Sequence, residues 1–344
     1  MEHLAIDLGS RKSQICLRRA DQTVLDERKV ETDHLEAYFR RLAPSRVILE
    51  TSAESFRIAD QARAAGHEVR VVPATLVRTL GVGSRRTKND RKDAQVLSEV
   101  SCRIDLPSVH IPSSESRERK TICGMREAQV SARTQLINCV RGWLRTQRLR
   151  VKAGADGFAD RVRLQQTLQC KTEAPDYVES MLCTIEQLDE QIQAAEKRLA
   201  KLAKADGTCR LLMTVPGVGP VTAIRFTAAI DDISRFPNAH AVQSYLGLVP
   251  GEYQSSETQH RLSITKAGSK RLRWALVQAA WSARNFRPDD PMVAWSIEVE
   301  KRRGKAIAVV ALARKLAGIL FAIWRDGTSY DKQRGAAIPG ALPM

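Results

Sequence analysis

The order of short apolar runs in the first hundred residues is the feature that most constrains what this chain can fold into. Runs rich in β-forming residues predict five strands, at residues 3–8, 14–17, 23–30, 46–50 and 67–72. Stretches with helical periodicity predict three helices, at residues 33–42, 55–65 and 90–102. Gly66 and Pro73 end the second helix and the last strand. The segment therefore alternates strands and helices as an α/β domain does.

Three strands and a helix, followed by β-α-β-α, is the element order of a ribonuclease-H-like fold. We therefore predict one α/β domain over residues 1–108. Between its last strand and last helix lies a basic, glycine-containing stretch, GVGSRRTKNDRK, over residues 81–92. Its composition predicts a loop that contacts phosphate. The candidate contact residues in it are Arg85, Arg86, Lys88, Arg91 and Lys92.

The composition changes after Pro107 and Pro112 to long helical segments, which we assign to a helical, coiled-coil region over residues 109–205. Its first helix is predicted over residues 117–149. Arg141, Arg145 and Arg148 near its end favour a solvated helix end or a nucleic-acid-facing helix about equally.

A heptad seam follows within the same region, with apolar residues at alternating steps of three and four. Its members are Val178, Met181, Ile185, Leu188, Ile192, Ala195, Leu199 and Leu202. Such a seam packs either inside one subunit, as a helical hairpin, or against a partner chain. We favour self-association, which predicts a homo-oligomer, a dimer or a tetramer.

A third, all-α domain is predicted over residues 206–330, with a flexible tail over 331–344. It opens with TVPGVGPVTA, which resembles the hairpin of a helix-hairpin-helix element. Backbone N–H groups at Gly217 and Gly219 would then hold a DNA phosphate, although PGxG also occurs as an ordinary helix-linking turn. Further helices are predicted over residues 269–285, 291–301 and 306–325.

The charge of the chain favours a polyanionic partner. Lysine and arginine number 55 against 39 aspartates and glutamates, a formal charge of +16. Because the basic residues cluster, nucleic acid is the expected partner rather than solvent alone. Charge does not distinguish DNA from RNA.

The cysteines and the apolar runs bear on the compartment. Seven cysteines lack CxxC pairs or histidines at zinc-ligand spacing, so neither a zinc site nor a disulfide framework is indicated. The start, MEHLAIDLGS, lacks the features of a secretory signal, and no apolar stretch is expected to approach the length of a membrane span. We expect a cytoplasmic, nucleoid-associated protein.

Four carboxylates from three separate segments are the candidate metal ligands. Asp7 and Glu50 each follow an apolar strand, and Asp90 and Asp93 lie one turn apart at a helix start. If they converge, their mutual repulsion favours a hard divalent cation, and Mg²⁺ suits phosphodiester chemistry. Asp90 alone would be explained as a helix cap. The four together favour a metal site.

A second chemistry is suggested in the third region. Ser255 and Ser256 are predicted to lie in a polar loop that the basic residues Arg261, Lys266, Lys270, Arg271 and Arg273 follow. Serine is a weak nucleophile unless a base, a metal or cations assist it. No Ser-His-Asp pattern is present, and Tyr253 is a further conceivable nucleophile.

With these residues in view, the chain resembles the DEDD-type insertion-sequence transposases, the family that includes the bridge-RNA-guided recombinases. The family's acidic tetrad falls on Asp7, Glu50, Asp90 and Asp93 of its RuvC-like N-terminal domain. The C-terminal transposase domain matches in PGVG (Pro216 to Gly219), in YLGLVP and in ITKAGSKRLRWAL. The family's nucleophilic serine falls on Ser255. Many members follow that serine with glycine, whereas this chain has SSETQ, so Ser256 stays an alternative.

The resemblance implies a mechanism and partners. A serine assisted by Mg²⁺ attacks a phosphodiester to give a 5′-phosphoserine intermediate and then strand exchange. The tetrad of one subunit works with the serine of another in a tetramer, on donor and target DNA chosen by a structured bridge RNA. Two alternatives stay open at this point: a RuvC-like nuclease or junction resolvase that uses metal-activated water, and a non-catalytic DNA-binding protein.

Overall fold

The chain divides into two compact units, Met1–Pro112 and Ser113–Met344, in the computed structural model. The structure describes residues 1–79, 90–170, 172–255 and 258–333, without the side chains of residues 78, 79, 90 and 253–261. Most of the predicted basic loop and most of the predicted tail thus lie outside the described residues. The second unit contains the predicted region 206–330 and all of the predicted region 109–205 except residues 109–112, which belong to the first unit, and the boundary between the two regions stays a prediction.

The first unit is a five-stranded mixed sheet with helices on its two faces. The strands have the order β3-β2-β1-β4-β5, in which β1 pairs antiparallel with β2 and parallel with β4. The elements are β1 (His3–Asp7), β2 (Lys12–Arg18), β3 (Val24–Glu31), α1 (Leu35–Arg41), β4 (Arg46–Glu50), α2 (Ser55–Ala64), β5 (Glu68–Val72), α3 (Ala74–Thr79) and α4 (Asp90–Arg103).

Side-chain alternation along the strands divides the core of this unit in two. Leu4 and Ile6 pack with residues of α1 and α2 on one face, whereas Ala5 and Ile48 pack with Leu97 of α4 on the other. The central strands read as unbroken apolar runs because both of their faces are covered.

The predicted strands and long helices of this unit are confirmed to within two residues at most ends, and the mixed α/β architecture with them. Two details differ. The helix predicted over residues 33–42 begins with a 3-10 turn, Thr32–His34, and α3 has no counterpart in the prediction. Six residues are too few to show helical periodicity.

The second unit is mostly helical. Its elements are α5 (Ser114–Thr146), α6 (Phe158–Cys170), α7 (Asp176–Ala205), α8 (Gly207–Leu212), α9 (Pro220–Ile230), α10 (Ala239–Tyr245), β6 (Pro250–Ser255), β7 (Thr258–Ile264), α11 (Lys270–Phe286), α12 (Pro291–Arg303) and α13 (Lys305–Asp326). Its largest core joins α9, α11 and α13, with small residues such as Ala279, Ala280 and Ala313 where the helices approach closely.

The heptad seam lies on α7, which packs against α5 of the same chain as an antiparallel hairpin. Arg126 and Arg133 of α5 form ion pairs with Glu196 and Asp189 of α7, and Gln129 donates to Gln191 at 3.2 Å.

Alternate positions of that seam are fully buried inside the subunit, and the others are only partly covered. Val178, Ile185, Ile192 and Leu199 are buried. Met181 is 36% exposed, and Leu188, Ala195 and Leu202 are half-buried. Packing inside the subunit therefore buries every second seam position completely, and self-association through the partly exposed positions stays a proposal.

Two expectations for this unit are corrected. The polar loop expected around Ser255 is a two-stranded hairpin, β6 and β7, because alternating polar residues pair across it. The expectation that no apolar stretch approaches a membrane span is also wrong, since α13 has 22 residues and an 18-residue stretch of it has a mean hydropathy of 2.1. Its apolar window is 67% buried within the unit, as expected for a helix packed on all sides in a core.

Candidate active site

Asp7 and Glu50 lie side by side at the carboxyl ends of the inner strands β1 and β4. The parallel register pairs Ile6 with Leu49, so the next residues of β1 and β4 are neighbours. Adjacent strands in a sheet are about 4.8 Å apart. Both residues end their strands and are half-buried. The sheet thus brings together two of the four predicted carboxylates.

Helix α4 covers the face of the sheet that carries Ala5 and Ile48, and it runs in the opposite direction to β1. Near its end, Ser101 Oγ lies 2.8 Å from His3 Nδ1 at the start of β1. One turn earlier, Ser98 Oγ lies 3.3 Å from Cys16 Sγ, and Cys16 pairs with Ala5. The start of α4 therefore lies toward the end of β1.

Rise per residue places Asp93 level with Asp7. From Ser101 back to Asp93 the helix covers about 12 Å, and from His3 to Asp7 the strand covers about 13 Å. Alternation from Ala5 and Ile48, which pack against α4, puts Asp7 and Glu50 on the face that α4 covers. Three of the predicted carboxylates are thus assigned to one face and one end of the sheet.

The described residues alone do not form a complete metal site. Within them, no three His, Cys, Asp or Glu side chains are close enough to hold an ion. The side chain of Asp90, the first residue of α4, lies outside the described part. The donor chemistry fits a hard divalent cation, because all four candidates are carboxylates. The tetrad as a ligand set stays a prediction.

An ion pair that the sequence analysis missed fixes the start of α4 to the sheet. Arg91 donates to both oxygens of Glu27 on β3, at 2.8 and 2.9 Å, and Gln95 donates to the same carboxylate at 2.7 Å. The hydrogen bonds from Arg91 hold the pKa of Glu27 below its ordinary range. Glu27 belongs to an exposed edge strand, and its partner is 64 residues away, so no local pattern indicated it.

This pair gives Arg91 a structural role where a phosphate contact was predicted. Its guanidinium is committed to Glu27 in the structure, whereas Lys92 is exposed. Arg85, Arg86 and Lys88 lie outside the described residues. Contacts of this loop with phosphate stay predictions.

Ser255 is the last residue of β6 and pairs with Thr258 of β7. It therefore lies at the far end of the hairpin from Pro250, which pairs near Ile264. Tyr253, the other conceivable nucleophile, pairs with His260. The side chains of all these central hairpin residues, with Arg261, lie outside the described part, as Ser256 does altogether.

The PGVG turn joins α8 to α9, and its two glycines have different reasons to be there. Gly217 has φ +82°, and a Cβ there would lie 2.1 Å from the Ala279 carbonyl oxygen of α11. Close backbone packing therefore requires this glycine. Gly219 is the N-cap of α9 and has open space where a Cβ would be, so packing does not require this glycine, and its contact with phosphate stays a prediction.

A cleft of about 620 Å³ lies beside this turn. Arg287 and Lys332 line it together with Asp289 and Asp290. Tyr330 also lines the cleft, and its hydroxyl donates to Asp290 at 2.9 Å. The mixed charge makes the cleft less attractive to phosphate than the sequence of the turn alone suggested.

The remaining predicted cations are mostly at the surface. Arg141 donates to the Gly154 carbonyl at 3.3 Å and stacks over Phe158, while Arg145 and Arg148 are exposed at the end of α5. These two fit either explanation given for that helix end.

The cations after the hairpin lie near the start of α11. Lys266 and Lys270 are exposed. Arg271 forms an ion pair with Glu127 at 3.0 Å, and Arg225 contacts the same carboxylate at 3.2 Å. Arg273 donates to the carbonyls of Leu246 and Ala267 and so joins α11 to the base of the hairpin.

Comparison with known proteins identifies the family. A model described as a DEDD-type IS110 transposase matches residues 4–147, and one described as "Transposase IS116/IS110/IS902 family" matches residues 209–292. The transposase for insertion sequence element IS1111A of Coxiella burnetii is 31% identical over 72% of this chain and 69% of that protein. The chain belongs to the IS110 family of transposases.

Two further relatives extend over most of the chain. A probable family 20 transposase of Pseudomonas aeruginosa is 27% identical over 96% of this chain and 98% of its own length. The pilin gene-inverting protein of Moraxella bovis is 26% identical over 87% and 86%. This IS110-family transposase is therefore an enzyme that acts on DNA. The alternative of a non-catalytic DNA-binding protein is wrong.

Proposed function

We propose that this transposase cuts and rejoins DNA through a serine nucleophile, Ser255, assisted by Mg²⁺ bound at the N-terminal carboxylates. The single observation that carries the metal-site part of the proposal is the parallel pairing of β1 and β4, which end at Asp7 and Glu50, and the direction of α4 supports Asp93 at the same end of the sheet. The strand order β3-β2-β1-β4-β5, with β1 and β4 parallel, supports a ribonuclease-H-like, RuvC-like domain.

Asp7, Glu50, Asp90 and Asp93 would hold the ion. Bound there, Mg²⁺ supplies charge stabilisation to the attacking and leaving oxygens of a phosphodiester. The sheet and α4 hold the carboxylates at a fixed level, because β1 and β4 are paired and α4 is anchored through Glu27 and Ser101. Such preorganisation is what a metal site in catalysis needs.

In the proposed step, the Ser255 hydroxyl oxygen attacks the phosphorus and the bond to the 3′ oxygen breaks. The phosphate stays on the 5′ end as a phosphoserine, and the 3′ end leaves as a hydroxyl. A 3′ hydroxyl of the exchanged strand then attacks the phosphoserine and frees the serine. The exposed cations Lys266 and Lys270, close to the hairpin in sequence, favour the negative charge of the transition state.

One observation favours a second candidate, hydrolysis by metal-activated water. The model that matches residues 4–147 is of the DEDD type and spans all four carboxylates, whereas Ser255 lies in the other matched segment. A carboxylate-bound metal is sufficient for water activation. The two candidates differ in whether protein becomes covalently joined to DNA.

The test is to trap the chain on a nicked DNA target, digest it and locate any phosphorylated residue by mass spectrometry. We expect the adduct on Ser255, and we expect Ser255→Ala to bind DNA normally but form none. Ser256→Ala is the matched control and should keep the adduct. An adduct on Ser256 or Tyr253 would reassign the nucleophile. Robust cleavage by Ser255→Ala without any adduct would favour activated water.

Beyond the DNA that a transposase acts on, we propose three further properties. A structured bridge RNA selects donor and target duplexes, and the excess of positive charge supports binding of both nucleic acids. The chain works as a homo-oligomer, supported by the half-exposed positions of the α7 seam. Its place is the cytoplasm, at the nucleoid, where its DNA is.

A further inference from the structure

The outward face of α11 combines basic, aromatic and amide side chains. The helix, KRLRWALVQAAWSARNF, contains four basic residues and no acidic one. Its inner face is built of Leu272, Ala275, Leu276, Ala279, Ala280 and Ala283, all buried in the core. Lys270, Trp274, Gln278 and Trp281 follow one another at helical spacing on the other side. The chemistry of this face suits a polyanion that carries flat rings.

Trp274 is the centre of this face. It is 52% exposed, although tryptophan is among the more buried residue types in folded proteins. Trp274 belongs neither to the core of the unit nor to the partly buried residues packed against it, so core packing gives no reason for an indole here. An exposed aromatic ring of this size is typical of a binding surface.

The neighbours of Trp274 indicate what binds there. Lys270 lies one turn earlier and is exposed. Arg271 beside it is 61% exposed, although Glu127 neutralises part of its charge. One turn later, Gln278 is exposed and presents an amide that both donates and accepts hydrogen bonds. Charge complementarity therefore favours nucleic acid, because an apolar protein surface gains nothing from these partners.

At the far end of the face, Trp281 is half-buried, and the Lys305 ammonium lies 5.1 Å from its ring centre. A cation already covers this indole, so Trp274 is the more accessible of the two. From Lys270 to Trp281 the helix extends about 16 Å, which is enough to contact more than one nucleotide.

We propose that Trp274 is a stacking platform for an unpaired nucleobase of the nucleic acid that this transposase binds, with Lys270 on an adjacent phosphate. In a duplex the bases already stack on one another, so the indole gains a partner only where a base is unpaired. The proposed surface contains neither Ser255 nor the carboxylates, although it shares Lys270 with the proposed serine step, and base stacking on Trp274 holds for either mechanism of strand cleavage.

The test measures binding of the full chain to a labelled 12-nucleotide single-stranded DNA, the RNA of the same sequence and the DNA duplex, by fluorescence anisotropy in EDTA. Without metal no strand is cut by either proposed mechanism. We expect Trp274→Ala to weaken single-strand binding by roughly tenfold and to leave duplex binding unchanged. Trp274→Phe should keep most of the affinity because it keeps a ring.

Phe286→Ala is the matched control, since Phe286 is 78% exposed on the same helix but faces about 120° away. It should leave single-strand binding unchanged. A second control is a strand with abasic sites, to which wild type and Trp274→Ala should bind equally. A larger effect of Trp274→Ala on the RNA or on the DNA strand identifies which nucleic acid supplies the base.

Three results would overturn the proposal. The first is equal weakening of Trp274→Ala on intact strand, abasic strand and duplex, which would mean a general electrostatic or folding effect. The second is unchanged affinity for both single strands. The third is a loss of oligomers in light scattering with no change of intrinsic affinity, which would assign the surface to contact between copies of this chain.

Discussion

The proposed metal site and the proposed nucleophile are held by different kinds of structure. Asp7 and Glu50 end adjacent parallel strands that are covered on both faces, and α4 is anchored to that sheet at both of its ends. Ser255 ends one strand of a two-stranded hairpin whose base is held by Arg273. A metal site requires several ligands in fixed relation, whereas a nucleophile requires one atom that reaches its target.

This difference explains why the two regions differ in what their substitutions should do. Substitution of a carboxylate in the first unit should weaken binding of the shared ion. Substitution of a residue that anchors α4 should loosen that helix. In the second unit, the helices that carry the hairpin also form the largest core, so buried changes act on folding first.

The largest loss of activity is expected at Asp7 and Glu50, where β1 and β4 end. Asp7→Asn or Glu50→Gln each removes one oxygen ligand charge, and recombination should fall by about a hundredfold or more. Folding should be unaffected or slightly more stable, because a like charge is removed. An assay of strand exchange in Mg²⁺, with a thermal melt beside it, measures both. Asp33→Asn is the control, since that side chain is 91% exposed on the same unit.

Asp90→Asn and Asp93→Asn extend the test to α4, where the same loss is expected. Recombination at wild-type level by two or more of the four variants would show that the tetrad is not the metal site. The rigid support of these strand ends would then have no role in metal binding.

The sequence was sufficient for much of the first unit, because each signal there is local. Apolar runs bounded by glycine and proline predicted β4, α2 and β5 closely, and the carboxylates at the strand ends followed from them. Glu27 was missed because its role depends on pairing with Arg91 of a distant helix. No pattern in an exposed strand distinguishes a carboxylate that anchors a helix from one in solvent.

In the second unit, the sequence predicted the helices better than their packing. The heptad repeat predicted α7 as a long helix, but not which of its apolar positions α5 covers, since both packing modes need the same spacing. The hairpin was taken for a loop because polar residues alternate in it without an apolar face. The apolar length of α13 was overlooked, and its burial depends on contacts that no local sequence pattern contains.

An intermediate effect is expected on α7, where the two halves of the seam should respond differently. Ile185→Glu places a charge in a fully buried position and should destabilise the second unit by about 3–5 kcal/mol. Met181→Glu, at a 36% exposed position, should leave the unit folded and dissociate higher oligomers. Chemical denaturation and light scattering measure the two outcomes. Unchanged stoichiometry of Met181→Glu would place the assembly surface elsewhere.

The smallest effect is expected at Glu27, since Arg91 is 64% exposed and exposed ion pairs contribute little. Glu27→Gln should weaken the anchoring of α4, seen as faster amide hydrogen exchange in its first turns at neutral pH. The pKa of Glu27 is lowered in the folded state, so its contribution is present above the ordinary value of 4.5 and is lost as the pH falls. After correction for intrinsic exchange rates, wild type and variant should therefore converge at acidic pH.

Glu31→Gln is the control for this prediction, because Glu31 lies on the same strand but pairs with Lys12 at 3.2 Å and has no contact with α4 among those described. It should leave exchange in α4 unchanged at every pH. If Glu27→Gln also leaves it unchanged, the contacts of Ser98 and Ser101 with the sheet suffice to hold α4. The level of Asp93 would then depend on the far end of the helix alone, which would make the support of the carboxylates less rigid than that proposed here.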